Sequence, residues 1–221
     1  GGLIVLSAQG ASQLQGSVVR HDGTLEASSL VSKGGRIMLE GDAITLGARS
    51  TTTASGATGG GEVLVGGGWQ GSGPLKHATS TTVETGATID VSATQRGDGG
   101  TAVLWSDVRN PIGRTQVSGS ILASGGAQSG NGGRIETSGH TLQVEDSTRI
   151  STLAPHGRVG EWLLDPVDFT IVSGSGAQTT SSIGATTLGT ALNSSNVTIA
   201  TDASILGNGD ITVAANVTKT A

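Results

Sequence analysis

Apolar residues alternate with polar or small ones in short runs: Ile4/Leu6, Ile37/Leu39, Val63/Val65, Val103/Trp105 and Val197/Ile199. A period of two sends successive side chains to opposite faces, so each run predicts a half-buried β-strand. Gly, Ser, Thr and Asn recur every few residues between the runs. They leave no 3.6-period segment long enough for a stable helix, and helix content is expected to be negligible.

The strands are punctuated in a repeated way. GGLIVLSAQG starts at Gly1, KGGRIMLEG at Lys33, GGGEVLVGG at Gly59, GDGGTAVLWSD at Gly97, GNGGRIETSG at Gly130 and a looser GRVGEWLLDP at Gly157. A second element lies between these copies: HDGTLEAS from His21, ETGATIDVSA from Glu84, VSGSILASGG from Val117 and EDSTRISTLA from Glu145. Each is a small-residue turn, one or two Leu or Ile, and then Ser or Ala. The second glycines of the first device, Gly2, Gly35, Gly61, Gly100, Gly133 and Gly160, are spaced by 33, 26, 39, 33 and 27 residues. Such steps lie in the range of solenoid repeats, with the irregularity expected of coils that carry loops of variable length on the outside. A hairpin-based sandwich would bring more aromatics and two-residue Asn-Gly or Asp-Gly turns. The pattern therefore predicts an all-β fold, a right-handed parallel β-helix of about ten coils of roughly 20 to 25 residues each.

In that fold Gly132 and Gly133 would form a coil corner, bending through φ values that only glycine adopts freely. Ile135 is expected to point into a narrow core, with Arg134 and Glu136 pointing out.

Composition narrows the picture. Hydrophobic residues make up 34% of the chain, rising to about 51% once its 38 glycines are counted, so a core can form. The chain is poor in charge, at 13%, and in large rings, with one Phe, three Trp and no Tyr, so that core should be thin. Zero cysteines exclude a disulfide framework and thiolate metal sites. Twelve basic residues against 17 acidic give no footprint for nucleic acid. No run of 18 apolar residues occurs, so membrane insertion is not expected. The chain opens in mid-repeat without a Met and reads as a piece of something longer.

Taken together, GGGEVLVGGGWQGSGPLKHATSTTVETGATIDVSAT, GDGGTAVLWSD, GSILASGGAQSGNGGRIETSGHTLQV and GEWLLDPVDFTI resemble the conserved segment of large bacterial two-partner-secretion exoproteins, the filamentous-haemagglutinin family. The tail SSIGATTLGTALNSSNVTIATDASILGNGDITVAANVT resembles the segment after the Leu-Leu-Asp-Pro motif in members related to high-molecular-weight adhesins and haemopexin-binding exoproteins. The resemblance covers most of residues 60–221. It divides a single β-helical segment into generic coils (1–58), a conserved repeat segment (59–170) and further coils (171–221). It implies a secreted β-helix at the outer cell surface, exported through an outer-membrane transporter barrel, without the amino-terminal secretion domain and its Asn-Pro-Asn-Gly type motif. The implied function is a structural and adhesive fibre segment that meets an unidentified host or bacterial surface receptor, protein or glycan, through loops on a stalk. Alternatives are a haem-acquisition exoprotein binding a host haem carrier and, further off, a polysaccharide-active enzyme.

Candidate chemistry is sparse. The notable carboxylates are Asp90, Asp98, Asp107, Asp165 and Asp168, whereas a glycosidase or lyase needs two or three gathered on one face. Asp165, ahead of Pro166, reads as a turn that caps its strand rather than as half of a catalytic pair with Asp168. His21, His77, His140 and His156 show no metal-ligand spacing and read as surface loop positions. GDGG at Gly97 and GNGD at Gly207 lack the tandem nine-residue repetition of calcium-binding turns. No catalytic, cofactor-binding or metal residue is assigned, and no enzyme activity is expected. Trp105 and Trp162 are expected to fill core or corner space, with Trp69 undecided. Asn193, Asn196 and Asn216 head glycosylation sequons. Both ends alternate like inner coils without a capping repeat, so end-to-end self-association is expected of the isolated chain.

Overall fold

The structure, a computed structural model, describes residues 1–10, 16–201 and 207–220; positions 202–206 of the tail motif and Ala221 lie outside them. Three parallel sheets run along it. The first contains β1 (Leu3–Ser7), β4 (Arg36–Glu40), β7 (Glu62–Val65), β10 (Thr101–Trp105), β13 (Arg134–Gly139), β16 (Glu161–Pro166) and β19 (Asn196–Ile199), stacked in that order. The third stacks β3 (Thr24–Glu26), β6 (Thr51–Thr53), β9 (Thr88–Asp90), β12 (Ser120–Leu122) and β15 (Arg149–Ser151). The second begins with β2 (Val18–His21), β5 (Ala43–Leu46), β8 (Ser80–Val83), β11 (Arg114–Val117) and β14 (Thr141–Val144). Each coil visits the sheets in turn and returns one rung further on, which makes the fold a parallel β-helix.

The rung spacing is the glycine spacing. Leu3 pairs with Arg36, Arg36 with Glu62, Glu62 with Thr101, Thr101 with Arg134 and Arg134 with Glu161, reproducing the 33, 26, 39, 33 and 27 residue steps. The first sheet has seven strands, not the ten coils expected, because corners and outer loops lengthen each turn beyond 25 residues.

Inside, side chains stack in columns. One column of the first sheet reads Ile4, Ile37, Val63, Ala102, Ile135, Trp162, Val197. The next reads Leu6, Leu39, Val65, Leu104, Thr137, Leu164, Ile199. Trp162 fills the channel as expected, and its indole N–H, which would be costly to bury unpaired, donates to Thr137 Oγ1 at 3.1 Å. At β10 the inward pair is Ala102 and Leu104, so Val103 and Trp105 face outward, opposite to the phase read from the alternation. Apolar residues on both faces of TAVLW hide the phase from a period-two count.

The glycine corners work differently from the expectation. Neither Gly132 nor Gly133 has a positive φ. A Cβ on Gly35 would run into the carbonyl oxygen of Gly2, one on Gly61 into that of Gly35, and so on through Gly100, Gly133 and Gly160, each against the second glycine of the preceding coil. The glycines are there because successive coils approach so closely that no side chain fits.

The sixth coil departs from the pattern. β17 (Phe169–Val172) does not lie beside β14; β18 (Ser182–Gly184) is inserted between them, and β20 (Ile211–Val213) follows β17. α1 (Ala185–Ala191) comes next, packs on β15 and buries Ala185, Leu188 and Ala191 in the core. Helix content is small, as the sequence pattern implies: seven residues without a side-chain cap would be marginal alone, and tertiary burial of Leu188 holds them.

Candidate functional site

The outward face of the first sheet carries a column that is mostly apolar: Val5, Met38, Leu64, Val103, Glu136, Leu163 and Thr198. An exposed apolar strip of this kind calls for a cover. Residues 66–78, the GGGWQGSGPLKHA stretch, supply it by folding back over the sheet as a clasp. Leu75 is buried there and forms a second small core with Leu64, Val103 and Trp105, with Met38, Trp69 and Val108 packed against it.

Glycines let the clasp lie flat. Atoms built at Cβ on Gly67 and Gly71 would meet Trp105 Cδ1 at 2.5 Å and Cζ2 at 2.7 Å, so the backbone lies directly on the indole. These two ring atoms flank Nε1, which is sealed beneath the turn and lacks a hydrogen-bond partner among the described residues. Gln70 holds a left-handed conformation (φ 50°, ψ 40°), uncommon for a residue with a side chain. That conformation aims its N–H at Glu136, donating to Oε2 at 2.7 Å. Ser138 Oγ donates to the other carboxyl oxygen, also at 2.7 Å. Trp69 lies under the guanidinium of Arg134, 4.4 Å from ring centroid to Cζ. His77 Nε2 donates to the Gly71 carbonyl at 3.0 Å, and its ring meets that of Trp105 at 5.6 Å between centroids. Lys76 fastens the far end, its N–H to Glu40 and its ammonium to Asp42 at 2.6 Å.

Glu136 points out of the channel as expected, but the clasp removes it from water completely. Burial drives its carboxyl up to about 7; the Gln70 and Ser138 hydrogen bonds oppose the shift, the Asp165 carboxylate adds to it, and Arg134 opposes it.

Beside the clasp opens a cleft of about 380 Å³, lined by Gln70 and His77, by Asp107 and Arg109 from the turn after β10, and by Asp165 and Pro166 of β16. Asp107 accepts the Arg109 N–H at 3.0 Å, which fixes that turn. Carboxylates, a guanidinium and a ring edge therefore converge on one concavity from three coils. Sequence reading missed this, because Gln70, Asp107 and Asp165 are far apart in the chain and only the register puts them together. The signal available was the apolar character of both faces of TAVLW, which a strand with one solvated face does not need.

The remaining candidates separate. Asp165 lies inside strand β16 and not in a turn, since Pro166 continues the strand. Asp168 faces elsewhere and holds the 207–210 turn, accepting from Asp210 N at 2.8 Å and Asn208 N at 3.2 Å. Asp90 accepts from Ser92 N and Asp98 from Asn131 N, each a local or inter-coil backbone contact. His21 is no loop residue: it is buried on β2, in the column of Leu46 and Val83. His77 and His140 are half-buried, the latter 3.2 Å from the Val108 carbonyl, and His156 is exposed. Among the described residues no three His, Asp or Glu side chains are grouped to hold a metal. Asn193, Asn196 and Asn216 are exposed. No helix among the described residues is long and apolar enough to cross a membrane.

No protein-family model and no curated protein matches the chain. Among solved structures it is similar to the secretion domain of HMW1 from Haemophilus influenzae, with 29% identity and a TM-score of 0.54 over 74% of this chain. The chain spans 42% of the length of that domain. The likeness agrees with the general family that the motifs resemble, the secreted two-partner exoproteins. It is a likeness to a secretion domain, the part that the motif reading had set outside this chain.

Proposed function

We propose that this chain is a segment of a secreted bacterial adhesin, displayed at the outer cell surface after export through an outer-membrane transporter barrel. The parallel β-helix serves as a stalk, and contacts are made by the loops that frame the cleft between the clasp and residues 106–113. The observation that carries the reading is the pairing of this fold with a likeness to the HMW1 secretion domain.

The segment binds and does not catalyse. Glu136, whose carboxyl burial displaces upward, is sealed from solvent and reaches no substrate. The cleft instead combines acceptors (Asp107, Asp165), a donor (Arg109) and a ring edge (His77), the set that recognises the hydroxyl groups of a glycan. Two measurements test this. Co-expression with its partner transporter should place the exoprotein in the medium or on the cell surface; retention in the periplasm with a working transporter would overturn the export reading. Purified chain should bind a subset of an arrayed panel of surface glycans, and Arg109→Ala, at an exposed position of the cleft, should reduce that binding at least tenfold while lowering the unfolding free energy by no more than about 0.5 kcal/mol. Unchanged binding would take the cleft out of the account.

A further inference from the structure

The clasp contains a combination that packing alone does not require. A carboxyl occupies the outward column where Leu64, Val103 and Leu163 occupy other rungs, and it is wholly buried. Its two hydrogen bonds come from neutral donors, the Gln70 N–H and the Ser138 hydroxyl, and no ion pair joins it among the described residues. One of those donors belongs to the clasp, and its backbone stands in a left-handed conformation to make the bond. The clasp has glycines at its bends, with φ of 73°, 66° and 85° at Gly66, Gly71 and Gly73.

We propose that residues 66–78 form a pH-responsive cover that loosens from the first sheet when Glu136 ionises, uncovering the Trp105 indole, the apolar column and the floor of the adjoining cleft. A buried carboxylate without a cation is costly, and opening lets water reach it. The groups that face it set the range. Asp165 on β16 disfavours its ionisation; Arg134 on β13 favours it, though the guanidinium is engaged over Trp69. On the clasp, Lys76 is held by Asp42 and His77 by the Gly71 carbonyl, while Asp107 and Arg109 line the cleft beside it. β10 presents Val103 and Trp105, neither charged.

With the carboxyl at about 7 when covered and near 4.5 when open, rising pH favours the open form. The opening constant should grow about tenfold between pH 6 and pH 8.5. As regulation of adhesion the device rests on the cleft being the contact site; as a property of the chain it does not.

Amide hydrogen exchange of the 66–78 segment, corrected for intrinsic rates and measured without any ligand, tests it directly. Protection of the Gln70, Gly71 and Ser72 amides should fall about tenfold from pH 6 to pH 8.5 and at each pH should stay well below that of β13 and β16, which marks the opening as local. Glu136→Gln should abolish the pH dependence; Glu136→Leu, which matches its neighbours on the column, should do the same if the amide substitution disturbs folding. His77→Asn should retain it. Flat wild-type protection, an unchanged profile in both Glu136 variants, or a dependence that disappears with His77 would each overturn the proposal. Because no receptor is present, failure of the adhesion reading leaves the outcome unaffected.

Discussion

Replacing Gly133 with alanine isolates the contact on which the stacking of coils depends. The added methyl would lie 2.6 Å from the Gly99 carbonyl carbon, 2.8 Å from the Gly100 nitrogen and closer still to the Gly100 carbonyl oxygen. All three are backbone atoms of the preceding rung, held by the β10–β13 ladder, so no side chain can rotate away. One coil must shift, which costs about 3 kcal/mol, offset by less than about 1 kcal/mol from the stiffer unfolded chain. With a urea m-value of about 2 kcal/mol/M, the midpoint should fall by about 1 M. The comparison variant is Gly23→Ala: nothing lies within 4 Å of its Cβ position and its φ is not positive, so its midpoint should hold or rise slightly. A loss at Gly133 below about 0.5 kcal/mol, or equal losses at the two positions, would refute the claim that close coil approach is what requires the glycine column.

Ile135→Asp puts an unpaired charge into the channel and should cost about 4 kcal/mol or more, whereas Arg134→Asp should lose only about 1 kcal/mol, from the Trp69 contact, in the same urea assay; equal effects would mean the register is wrong. Because the Glu136 carboxyl is raised when folded, its contribution is fully present below about 4.5 and is lost as pH rises through about 7. The wild type should therefore lose up to about 3 kcal/mol that Glu136→Gln keeps, as read by urea midpoints at pH 5 and pH 8; parallel behaviour of the two proteins would contradict the assignment. In the described structure β1 and β2 each pair on one side only and Leu3, Val5 and Val18 are exposed, so the 221-residue chain should associate end to end at high concentration; a sharp monomer in sedimentation across a concentration series would show those edges are protected.

Much of the fold was legible because a β-helix writes its period into the chain. Double glycines mark the entry to every strand of the first sheet from β1 to β13, with the single Gly160 ahead of β16, and the isoleucines of the second element, Ile89, Ile121 and Ile150, form one inward column of the third sheet. What those glycines do was not legible: a corner that needs positive φ and one that needs close approach ask for the same residue. The clasp was obscured for another reason. GGGWQGSG looks like a loop, and only the outward apolar column beneath it makes it a cover. Glu136 read as a solvent-facing strand residue because alternation reports direction and says nothing of what lies on top. The cleft needs register between residues nearly a hundred positions apart, and α1 is held by Leu188 reaching a core that no local pattern announces.

The stacking register itself is the claim from which clasp, cleft and column all follow, and the absence of cysteine makes it directly measurable. Glu62 and Thr101 are partners on neighbouring parallel strands, about 4.8 Å apart, within the span of a disulfide; Glu62 and Arg134 are two rungs apart, at about 9.6 Å, and beyond it. Under mild oxidation, Glu62→Cys/Thr101→Cys should cross-link rapidly within the monomer and Glu62→Cys/Arg134→Cys should stay reduced. Cross-linking of the second pair in preference to the first, or of neither, would contradict the account.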